Sequence, residues 1–159
     1  MVLTGSGIKM KLKTIGLTDV NTHESVVIVE PSNIYGCRLA ENVFIGPFCE
    51  IQNDVVIGPQ TRIQSHTFIC SYVTIGANCF VGHGVMFIND KFEDGSPAKG
   101  DKSKWRSTVI GANVAIGSNA TILPVTICDN VTIGAGSVVT RSIVKPGKYA
   151  GSPARKMGD

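Results

Sequence analysis

Two histidines and an Asn-Asp pair are the residues of this sequence whose types best suit acid–base chemistry. His66 and His83 precede Asn89 and Asp90, which follow each other directly. A histidine beside a ligand can act as a general base or as a polar clamp, because its imidazole titrates near neutral pH. An adjacent amide and carboxylate can orient an amine or hydroxyl nucleophile. Two simpler alternatives stay open, since both histidines could be surface residues and Asn-Asp is also common in turns.

The Asn-Asp pair begins a polar, basic segment, residues 89–107, that differs from the sequence on either side. The segment contains Trp105, the only tryptophan of the chain, and the turn-forming residues Gly95, Pro97 and Gly100. Long loops within compact domains are usually functional or disordered. We therefore expect a lid over a ligand site, with Trp105 offering a ring to the substrate. A solvated surface loop is the alternative.

The sequence around this segment repeats with a period of six residues. Nine of the ten positions taken in steps of six from residue 27 are aliphatic: Val27, Asn33, Leu39, Ile45, Ile51, Ile57, Ile63, Ile69, Ile75 and Val81. The series resumes at Ile110 and Ile116, shortens to a spacing of five between Ile122 and Ile127, and ends at Val139. A period of six fits neither an α-helix nor an ordinary alternating strand. It predicts an all-β fold of short strands and sharp corners, in which about five stacked turns form the core.

The cysteines fit this repeat as packing residues. Small residues follow each aliphatic position by four places: Cys37, Val43, Cys49, Val55, Thr61, Thr67, Val73, Cys79 and Val85. The cysteine count is odd at five and no CxxC occurs, so the sequence predicts neither a disulfide framework nor a zinc ribbon. Cys70 and Cys128 are also expected to pack rather than to act as nucleophiles.

Length and charge limit the remaining classes. A chain of 159 residues with a net charge of +3 predicts one domain and argues against nucleic-acid binding. No apolar run approaches the roughly 20 residues of a membrane span, and the N-terminus lacks an apolar signal core, so we expect no membrane association and a cytoplasmic location. We divide the chain into an N-terminal segment of cap or vector-derived residues (1–26), the repeat domain (27–155, with its insertion) and a short tail (156–159).

The hexad pattern resembles the hexapeptide-repeat acyltransferase family over about residues 27–155. This resemblance implies a left-handed parallel β-helix that associates as a homotrimer with sites between subunits. The stretch "GHGVMFIND" is similar to a segment of family members that N-acetylate nucleotide-linked amino sugars for bacterial surface polysaccharides such as lipopolysaccharide. In those relatives the motif's asparagine, here Asn89, contacts the sugar amine. Such relatives often have Pro-Arg after the aspartate, whereas this sequence has "KFEDG", which leaves the substrate open.

The C-terminal stretch "IGAGSVVTRSIVKPGKYAGSPARK" resembles the acetyl-CoA-binding end of the same family. Small corner residues would let a pantetheine arm lie against the turns, and basic residues suit the phosphates of CoA. The resemblance thereby implies a cofactor site made of Gly117, Ser118, Ala135, Gly136, Arg141, Ala150, Arg155 and Lys156.

Together these features predict an acetyl-CoA-dependent N-acetyltransferase that acts on a UDP- or dTDP-linked amino sugar by direct attack, without a metal. His83, Asn89 and Asp90 are the expected catalytic residues, and His66, Asn89 and Trp105 the expected substrate contacts. The proton of the amine could go to His83, to solvent or to the departing thiolate. Three alternatives remain: sugar O-acetylation, a γ-carbonic-anhydrase-like hydratase with three histidines on zinc, and a non-catalytic β-helix scaffold.

Overall fold

The structure, a computed structural model, describes residues 14–158. In chain order its strands are β1 (Leu17–Thr18), β2 (Asn21–Thr22), β3 (Val27–Ile28), β4 (Asn33–Tyr35), β5 (Arg38–Leu39), β6 (Phe44–Ile45), β7 (Glu50–Ile51), β8 (Val56–Ile57), β9 (Arg62–Ile63), β10 (Phe68–Ile69), β11 (Val73–Ile75), β12 (Phe80–Val81), β13 (Met86–Phe87), β14 (Thr108–Ile110), β15 (Ala115–Ile116), β16 (Thr121–Ile122), β17 (Thr126–Ile127), β18 (Val131–Ile133), β19 (Val138–Val139), β20 (Gly147–Ala150) and β21 (Arg155–Lys156). A short 3-10 helix, Lys102–Lys104, lies in the segment between β13 and β14.

The strands form three parallel sheets, in which strands three places apart in the chain pair with each other from β1 to β19. Sheet A has the order β1-β4-β7-β10-β13-β16-β19, sheet B the order β2-β5-β8-β11-β14-β17, and sheet C the order β3-β6-β9-β12-β15-β18-β20-β21. Only the last pair, β20 with β21, is antiparallel. The molecule is therefore a left-handed parallel β-helix, as the repeat and the resemblance predict.

The helix has seven turns, so the expectation of about five is wrong. The first turn is formed by β1, β2 and β3, and the last is formed by β19, β20 and the bridge between Ile127 and Ile143. Both ends lack the regular aliphatic pattern. Leu17, for example, is exposed although it pairs with a strand of the second turn. Backbone pairing therefore extends the β-helix beyond the residues whose apolar side chains form the six-residue repeat.

A ladder of aliphatic side chains fills the interior, because every strand from β5 to β19 ends on a buried residue. Ile63 illustrates the register: it pairs with Ile45 on one side and with Val81 on the other, and all three are fully buried. Full burial of such a side chain contributes about 1.5–3 kcal/mol. The small residues predicted four places after each aliphatic position are also buried, including Cys37, Cys49 and Cys79.

The predicted ladder is wrong at its two N-terminal positions. Val27 is 53% exposed, and the buried residue of β4 is Ile34 rather than Asn33. The corner that follows β4 is short, with Gly36 in the left-handed conformation (φ 59°). The inward-facing residues Ile34 and Leu39 are therefore five places apart, and steps of six counted back from Leu39 miss the core by one residue. The predicted five-residue step from Ile122 to Ile127 is confirmed, since both are buried.

The corners between sheets form three edges along the helix. The C–A edge, between strands of sheets C and A, consists of residue pairs 47–48, 65–66, 83–84, 118–119 and 135–136. The A–B edge contains pairs 53–54 and 71–72, the long segment between β13 and β14, and residues 140–142. The B–C edge consists of pairs 41–42, 59–60, 77–78, 112–113 and 129–130. Along one edge, residues at corresponding corners of successive turns lie about 4.8 Å apart, which is the spacing of neighbouring strands.

Candidate active site

The C–A edge carries both histidines that the sequence singles out. His83 occupies the corner between β12 and β13, and its Nδ1 lies 2.9 Å from the Oγ of Ser65 in the corner one turn below. The carbonyl oxygen of His83 accepts a hydrogen bond from the backbone N–H of Asn119 one turn above. The imidazole is exposed and held at one nitrogen. Either ring nitrogen can carry the proton, so the hydroxyl can accept from Nδ1–H and leave Nε2 free to take up a proton.

His66 lies in the same corner as Ser65 and stacks on the ring of Phe48 one turn below. The ring centroids are 4.9 Å apart and the ring planes are inclined by 32°. Both residues adopt the left-handed conformation, with φ of 63° for His66 and 60° for Phe48. The sequence pattern identified His66 but not Phe48 or Ser65. An offset of 18 residues, the length of one regular turn, relates Ser65 to His83 and Phe48 to His66.

The small residues predicted to bind CoA continue this edge above His83. Ser118 and Ala135 occupy the corresponding corners of the next two turns, and the N–H of Gly136 donates to the carbonyl of Ser118 at 2.9 Å. The turns approach closely at Gly117, where an added Cβ would lie 2.7 Å from the Cα of Ala135. The edge is therefore narrow and lacks bulky side chains between His83 and the C-terminal end.

The C-terminal hairpin closes the same edge. The turn between β20 and β21 is tied to β19, because Val138 donates from its N–H to the carbonyl of Gly151 and accepts from the N–H of Ala154. Ala150 lies against Gly134, at 2.9 Å from an added Cβ on that glycine. Arg155 and Lys156 form β21 and are exposed. Seven of the eight predicted cofactor residues thus follow the C–A edge or its end.

Arg141 is the exception among the predicted cofactor residues. It lies on the A–B edge, in the corner after β19, next to Ser142, whose Oγ accepts from the N–H of Thr126. A side chain there is separated from the small corner residues by the width of sheet A. Within one chain, Arg141 and the other seven residues do not form a single group.

Asn89 and Asp90 also lie on the A–B edge, where the long segment leaves the helix. The Nδ2 of Asn89 donates to the carbonyl of Ser71 at 3.2 Å, and its own carbonyl accepts from the N–H of Arg106 at 2.8 Å. Asn89 therefore ties both ends of the loop to the turn below. Its Oδ1 makes no hydrogen bond to the part of the chain that the structure describes.

Asp90 holds the loop in shape. One carboxylate oxygen accepts from the N–H of Phe92 at 2.9 Å, and the other accepts from the N–H of Ala98 at 2.7 Å. Ala98 is the buried residue of the loop. These contacts are the turn chemistry that was the alternative explanation of the Asn-Asp pair, and each carboxylate oxygen accepts one backbone hydrogen bond.

A polar contact network supports the base of the loop, which the sequence pattern does not reveal. Ser71 is buried; its N–H donates to Oε1 of Gln52 at 3.2 Å and its Oγ to Oδ1 of Asn53 at the same distance. Ser71 is also the residue whose carbonyl accepts from Asn89. The position of the Asn89 amide is therefore set by side chains of the two turns below the loop.

Two ion pairs and an aromatic contact fasten the rest of the loop. Lys104 pairs with Asp94 at 2.6 Å, and Arg106 pairs with Glu93 at 2.8 Å. The hydrogen bond from Lys104 lowers the pKa of Asp94 to about 2. Glu93, Asp94 and Lys104, together with Asp90, border a cavity of about 230 Å³. The Trp105 ring lies 6.1 Å from that of Tyr72, so its place in the loop is fixed by a residue of the turn below.

The two groups of predicted catalytic residues lie on different edges. His83 is on the C–A edge, Asn89 and Asp90 are on the A–B edge, and strand β13 separates them. A site that combines an imidazole with the Asn89 amide therefore requires the C–A edge of one copy and the A–B edge of another.

The cysteines do not offer a nucleophile. Burial raises the pKa of Cys37 to about 11 and that of Cys70 to about 12, and burial also raises the pKa of Cys49 and Cys79. A thiol with such a pKa stays protonated at neutral pH, and the thiolate is the reactive form. The fifth cysteine, Cys128, is partly buried and packs against the core.

Within residues 14–158, no group of three or more His, Cys, Asp or Glu side chains is close enough to hold a metal ion. A zinc site of the three-histidine type would therefore need ligands beyond one copy of this described range. The same range contains no helix that is long and apolar enough to cross a lipid bilayer.

Two family models match the chain on either side of the inserted loop. "Bacterial transferase hexapeptide (six repeats)" matches residues 36–71, and "Hexapeptide repeat of succinyl-transferase" matches residues 107–141. The seven-turn helix supplies the fold that these repeats imply. The chain therefore carries the hexapeptide repeat of these transferase models on both sides of the loop. In this hexapeptide-repeat protein the unmatched residues 72–106 contain His83 and the loop, which are two parts of the candidate site.

Curated relatives of this hexapeptide-repeat chain include the bifunctional protein GlmU. The chain is 38% identical over 109 residues to GlmU of Acinetobacter baylyi, which covers 68% of this chain and 21% of that protein. It is 33% identical over 145 residues to GlmU of Streptococcus uberis, covering 80% and 29%. The chain thus spans less than a third of the length of these relatives.

Solved structures with the same fold come from several bacteria. A hexapeptide transferase family protein from Anaplasma phagocytophilum has a TM-score of 0.72 at 19% identity, over 89% of this chain and 81% of that one. A mutant perosamine N-acetyltransferase from Caulobacter crescentus, in complex with CoA and GDP-perosamine, has a TM-score of 0.66 at 24% identity, over 88% and 58%. A maltose O-acetyltransferase from Clostridium difficile has a TM-score of 0.61 at 22% identity, over 88% and 68%. At these identities the likeness establishes the fold.

Proposed function

We propose that this protein transfers the acetyl group of acetyl-CoA to the amine of a nucleotide-linked amino sugar. The observation that supports this most directly is the composition of the C–A edge. An exposed histidine, held at Nδ1 by Ser65, lies directly below a row of small corner residues that ends at two exposed basic side chains. That order matches what the transfer needs: a proton acceptor near the thioester, a narrow path for pantetheine and cations for phosphates.

The donor lies along the C–A edge with its thioester near His83. Gly117, Ser118 and Gly136 leave room for a thin chain against the backbone, and Arg155 and Lys156 bind the phosphates by charge-assisted hydrogen bonds. Perosamine N-acetyltransferase and other family members of known structure bind CoA or acetyl-CoA, which supports this choice of donor. No metal is required, since the acceptor amine supplies the nucleophile.

In the reaction, the amine nitrogen forms a bond to the acetyl carbonyl carbon and the carbon–sulfur bond breaks. The amine loses one proton, which Nε2 of His83 accepts and the departing CoA thiolate finally receives. Holding the amine and the thioester in line can account for several kcal/mol of the lowered barrier, of the roughly 7–11 kcal/mol available from proximity. Backbone N–H groups stabilise the oxyanion that develops on the carbonyl.

The acceptor is held by a second copy of the chain. The Oδ1 of Asn89 is available to accept a hydrogen bond from the sugar amine, and Trp105 and the rest of the loop cover the sugar. Since His83 and Asn89 lie on different edges, the complete site forms where the loop of one copy reaches the C–A edge of its neighbour. A homotrimer with three such sites satisfies this requirement, because cyclic symmetry repeats the contact and closes it. Light scattering should give three times the chain mass of 16.8 kDa.

An amine fits this site better than a hydroxyl acceptor does. Among the described residues, the side-chain partner of His83 is the hydroxyl of Ser65, and no carboxylate lies within ion-pair distance of the imidazole. A histidine that must deprotonate a hydroxyl is typically supported by an acidic residue at its other nitrogen. An amine attacks without prior loss of a proton and makes a smaller demand on the base.

Release of free CoA from acetyl-CoA tests the proposal. The protein is incubated with acetyl-CoA and a small panel of UDP- and dTDP-linked amino sugars, each matched with the nucleotide sugar that has a hydroxyl in place of the amine. We expect thiol release with at least one amino sugar and its loss in His83→Ala. Release with the hydroxyl sugars alone would make the protein an O-acetyltransferase. No release, together with no thermal shift on adding CoA, would indicate a non-catalytic β-helix.

A further inference from the structure

Two edges of the helix differ in the residues that adopt the left-handed conformation at their corners. On the B–C edge these residues are amides throughout: Asn42, Gln60, Asn78, Asn113 and Asn130. On the C–A edge the corresponding series is Phe48, His66, Gly84, Asn119 and Gly136. Asparagine tolerates this conformation, whereas a bulky ring rarely adopts it. Strained backbone of this kind is concentrated at functional sites.

Phe48 is exposed despite its unfavourable conformation. Its side chain is 57% exposed, and its ring contacts that of His66, which is also exposed. Because the two rings overlap at 4.9 Å, they form one aromatic surface on the outside of the C–A edge. Neither ring contributes to the aliphatic ladder inside the helix. The fold therefore does not require them, and an amide would serve the corner better.

The next member of the series above His66 is Gly84, which has no side chain. A side chain at Gly84 would continue the stack, but its absence leaves the upper part of the edge without a ring. The side-chain oxygen of Asn119 leans down to the position that a Cβ of Gly84 would occupy. The ring series therefore ends at His66, and the Asn119 side chain fills the corner above it.

The aromatic pair lies below His83 on the same edge. Ser65, which binds Nδ1 of His83, is the chain neighbour of His66, so the aromatic pair begins one turn below the imidazole. A ligand that places one end at His83 and extends toward the N-terminal end of the edge must pass these rings. The proposed CoA donor lies in the other direction along the edge, above His83, where the corner residues are small.

We propose that Phe48 and His66 form a stacking site for the base of a nucleoside diphosphate, the carrier of the acceptor sugar. This inference rests on the proposed function and adds the part of the site that recognises the nucleotide. Stacking on a ring accepts any base, because every base has a π-face. Exposed lysines of the loop, Lys91 and Lys99, are supplied by the neighbouring copy for the diphosphate.

Replacement of Phe48 by asparagine separates this role from a structural one. Phe48→Asn introduces the residue type that the chain already uses at such corners, so the variant should fold and melt no lower than the wild type. His66→Asn is designed in the same way. Phe80→Ala is the matched control, because Phe80 is also an exposed ring, at 44%, but lies on the outer face of sheet C and not at a corner.

The probes are UDP, dTDP and GDP, titrated into each variant and followed by NMR. We expect the wild type and Phe80→Ala to bind at least one of them alike, and Phe48→Asn and His66→Asn to bind it about tenfold or more weakly, the loss expected for one stacked base. CoA affinity and the mass in light scattering should not change in any variant.

Three outcomes would overturn the stacking site. Equal nucleotide affinity in the wild type and Phe48→Asn would remove the rings from the nucleotide site and leave the acetyltransferase proposal intact. No binding of any of the three nucleotides to the wild type would do the same, and thiol release with free amino sugars would then decide the reaction separately. A changed mass in Phe48→Asn would instead place Phe48 in the contact between copies.

Discussion

The Oγ of Ser65 and the Nδ1 of His83 lie 2.9 Å apart at corresponding corners of successive turns. This side-chain contact links two successive corners in addition to the backbone hydrogen bonds. It sets the orientation of the His83 imidazole, which lies directly below the small corner residues. Because the contact engages Nδ1, the ring presents Nε2 away from Ser65. The helix thus provides a fixed histidine on a rigid edge, which is what precise placement of a proton acceptor requires.

His83 and Ser65 should differ in how strongly their loss reduces turnover. His83→Ala removes the proton acceptor, and we expect kcat/KM for the amino sugar to fall by about 10²–10⁴-fold, the usual contribution of a general base. Ser65→Ala leaves the imidazole in place but frees its orientation, so a loss of about tenfold is expected. Steady-state kinetics with the acceptor identified in the thiol-release assay gives both values.

Ser65→Thr is the matched control for this pair, since it retains a hydroxyl and should keep most of the activity. CoA affinity should be close to that of the wild type in all three variants. If Ser65→Ala and Ser65→Thr were equally active, the hydrogen bond to Nδ1 would have no part in catalysis.

Arg155→Ala should weaken CoA more than dephospho-CoA. Arg155 is exposed on β21, and its Nη1 donates to the carbonyl of Ala154, so its remaining donors face outward at the end of the C–A edge. If those donors bind the ribose phosphate of CoA, their loss costs about 1–3 kcal/mol, as for a charge-assisted bond. Calorimetric titration of both ligands measures the difference.

An exposed arginine far from this end provides the comparison. Arg38→Ala alters sheet B near the N-terminal end and should leave both affinities unchanged. Equal losses for CoA and dephospho-CoA in Arg155→Ala would move that side chain away from the ribose phosphate.

Ile63→Ala should lower the stability of the helix. Ile63 is fully buried between Ile45 and Val81, and its truncation leaves a cavity between two turns. The cost expected for a buried Ile-to-Ala change is about 2–5 kcal/mol. Thermal or denaturant unfolding should show it, although subunit association can conceal part of the loss because it stabilises the folded chain. Thr74→Ala, at an exposed position of β11, is the control and should change little.

The sequence predicts the strands of the fold only where buried side chains follow the six-residue repeat. From Leu39 to Val139 a buried apolar residue, aliphatic in every strand except β13 with its Phe87, marks each strand, so the register can be counted, including the step of five at Ile127. The first turn could not be found in this way. Its backbone pairs, but Leu17 and Val27 face solvent, and the short corner at Gly36 shifts the register by one residue.

The same limit applies to the residues of the candidate site. The length of one turn is enough to predict that His66 and His83 share an edge, because both belong to the periodic part of the chain. The loop has no period, and its shape is set by contacts such as those of Asp90 with two backbone N–H groups. The sequence suggests that Asn89 and His83 act together, because they are close in the chain. In the structure strand β13 lies between them, so they are on different edges of the β-helix.

Acid should loosen the loop through Asp94. Its pKa is lowered from an ordinary 3.8 to about 2, chiefly by the hydrogen bond from Lys104. A lowered pKa means that Asp94 supports the loop fully above pH 4 and loses this effect as the pH falls through about 2. The emission of Trp105, the only tryptophan, should therefore be constant between pH 7 and 4 and change below it.

Two variants identify the group responsible for this acid transition. In Asp94→Asn the ion pair is absent at every pH, so the emission at pH 7 should already resemble that of the acid form. Asp129→Asn removes a carboxylate of the B–C edge, which accepts from the N–H of Ala112, and should titrate like the wild type. An acid transition in Asp94→Asn equal to that of the wild type would assign it to other carboxylates, such as Glu93 in its pair with Arg106.

Asn89→Ala should impair the acceptor and spare the donor. We expect turnover to fall by about 10²-fold or more, because the amide positions the amine against the thioester, while CoA binding stays close to that of the wild type. The amide also holds Ser71, so a melting curve must accompany the kinetics. Asn42→Ala, at a corner of the B–C edge, is the matched change of an asparagine and should retain full turnover.

Deletion of residues 93–104, closed by a short Gly-Ser link, tests the loop as a whole. The deleted residues contribute no side chain to the aliphatic ladder, and their ion pairs lie on the surface, so the seven turns should melt near the wild-type temperature. Trp105 and its contact with Tyr72 remain at the end of the link. Because the cover over the acceptor is lost, its KM should rise sharply, while that of acetyl-CoA changes little. If this variant and Asn89→Ala both acetylated the substrate with wild-type kcat and KM, the acceptor would bind elsewhere and the loop would be a surface excursion of the helix.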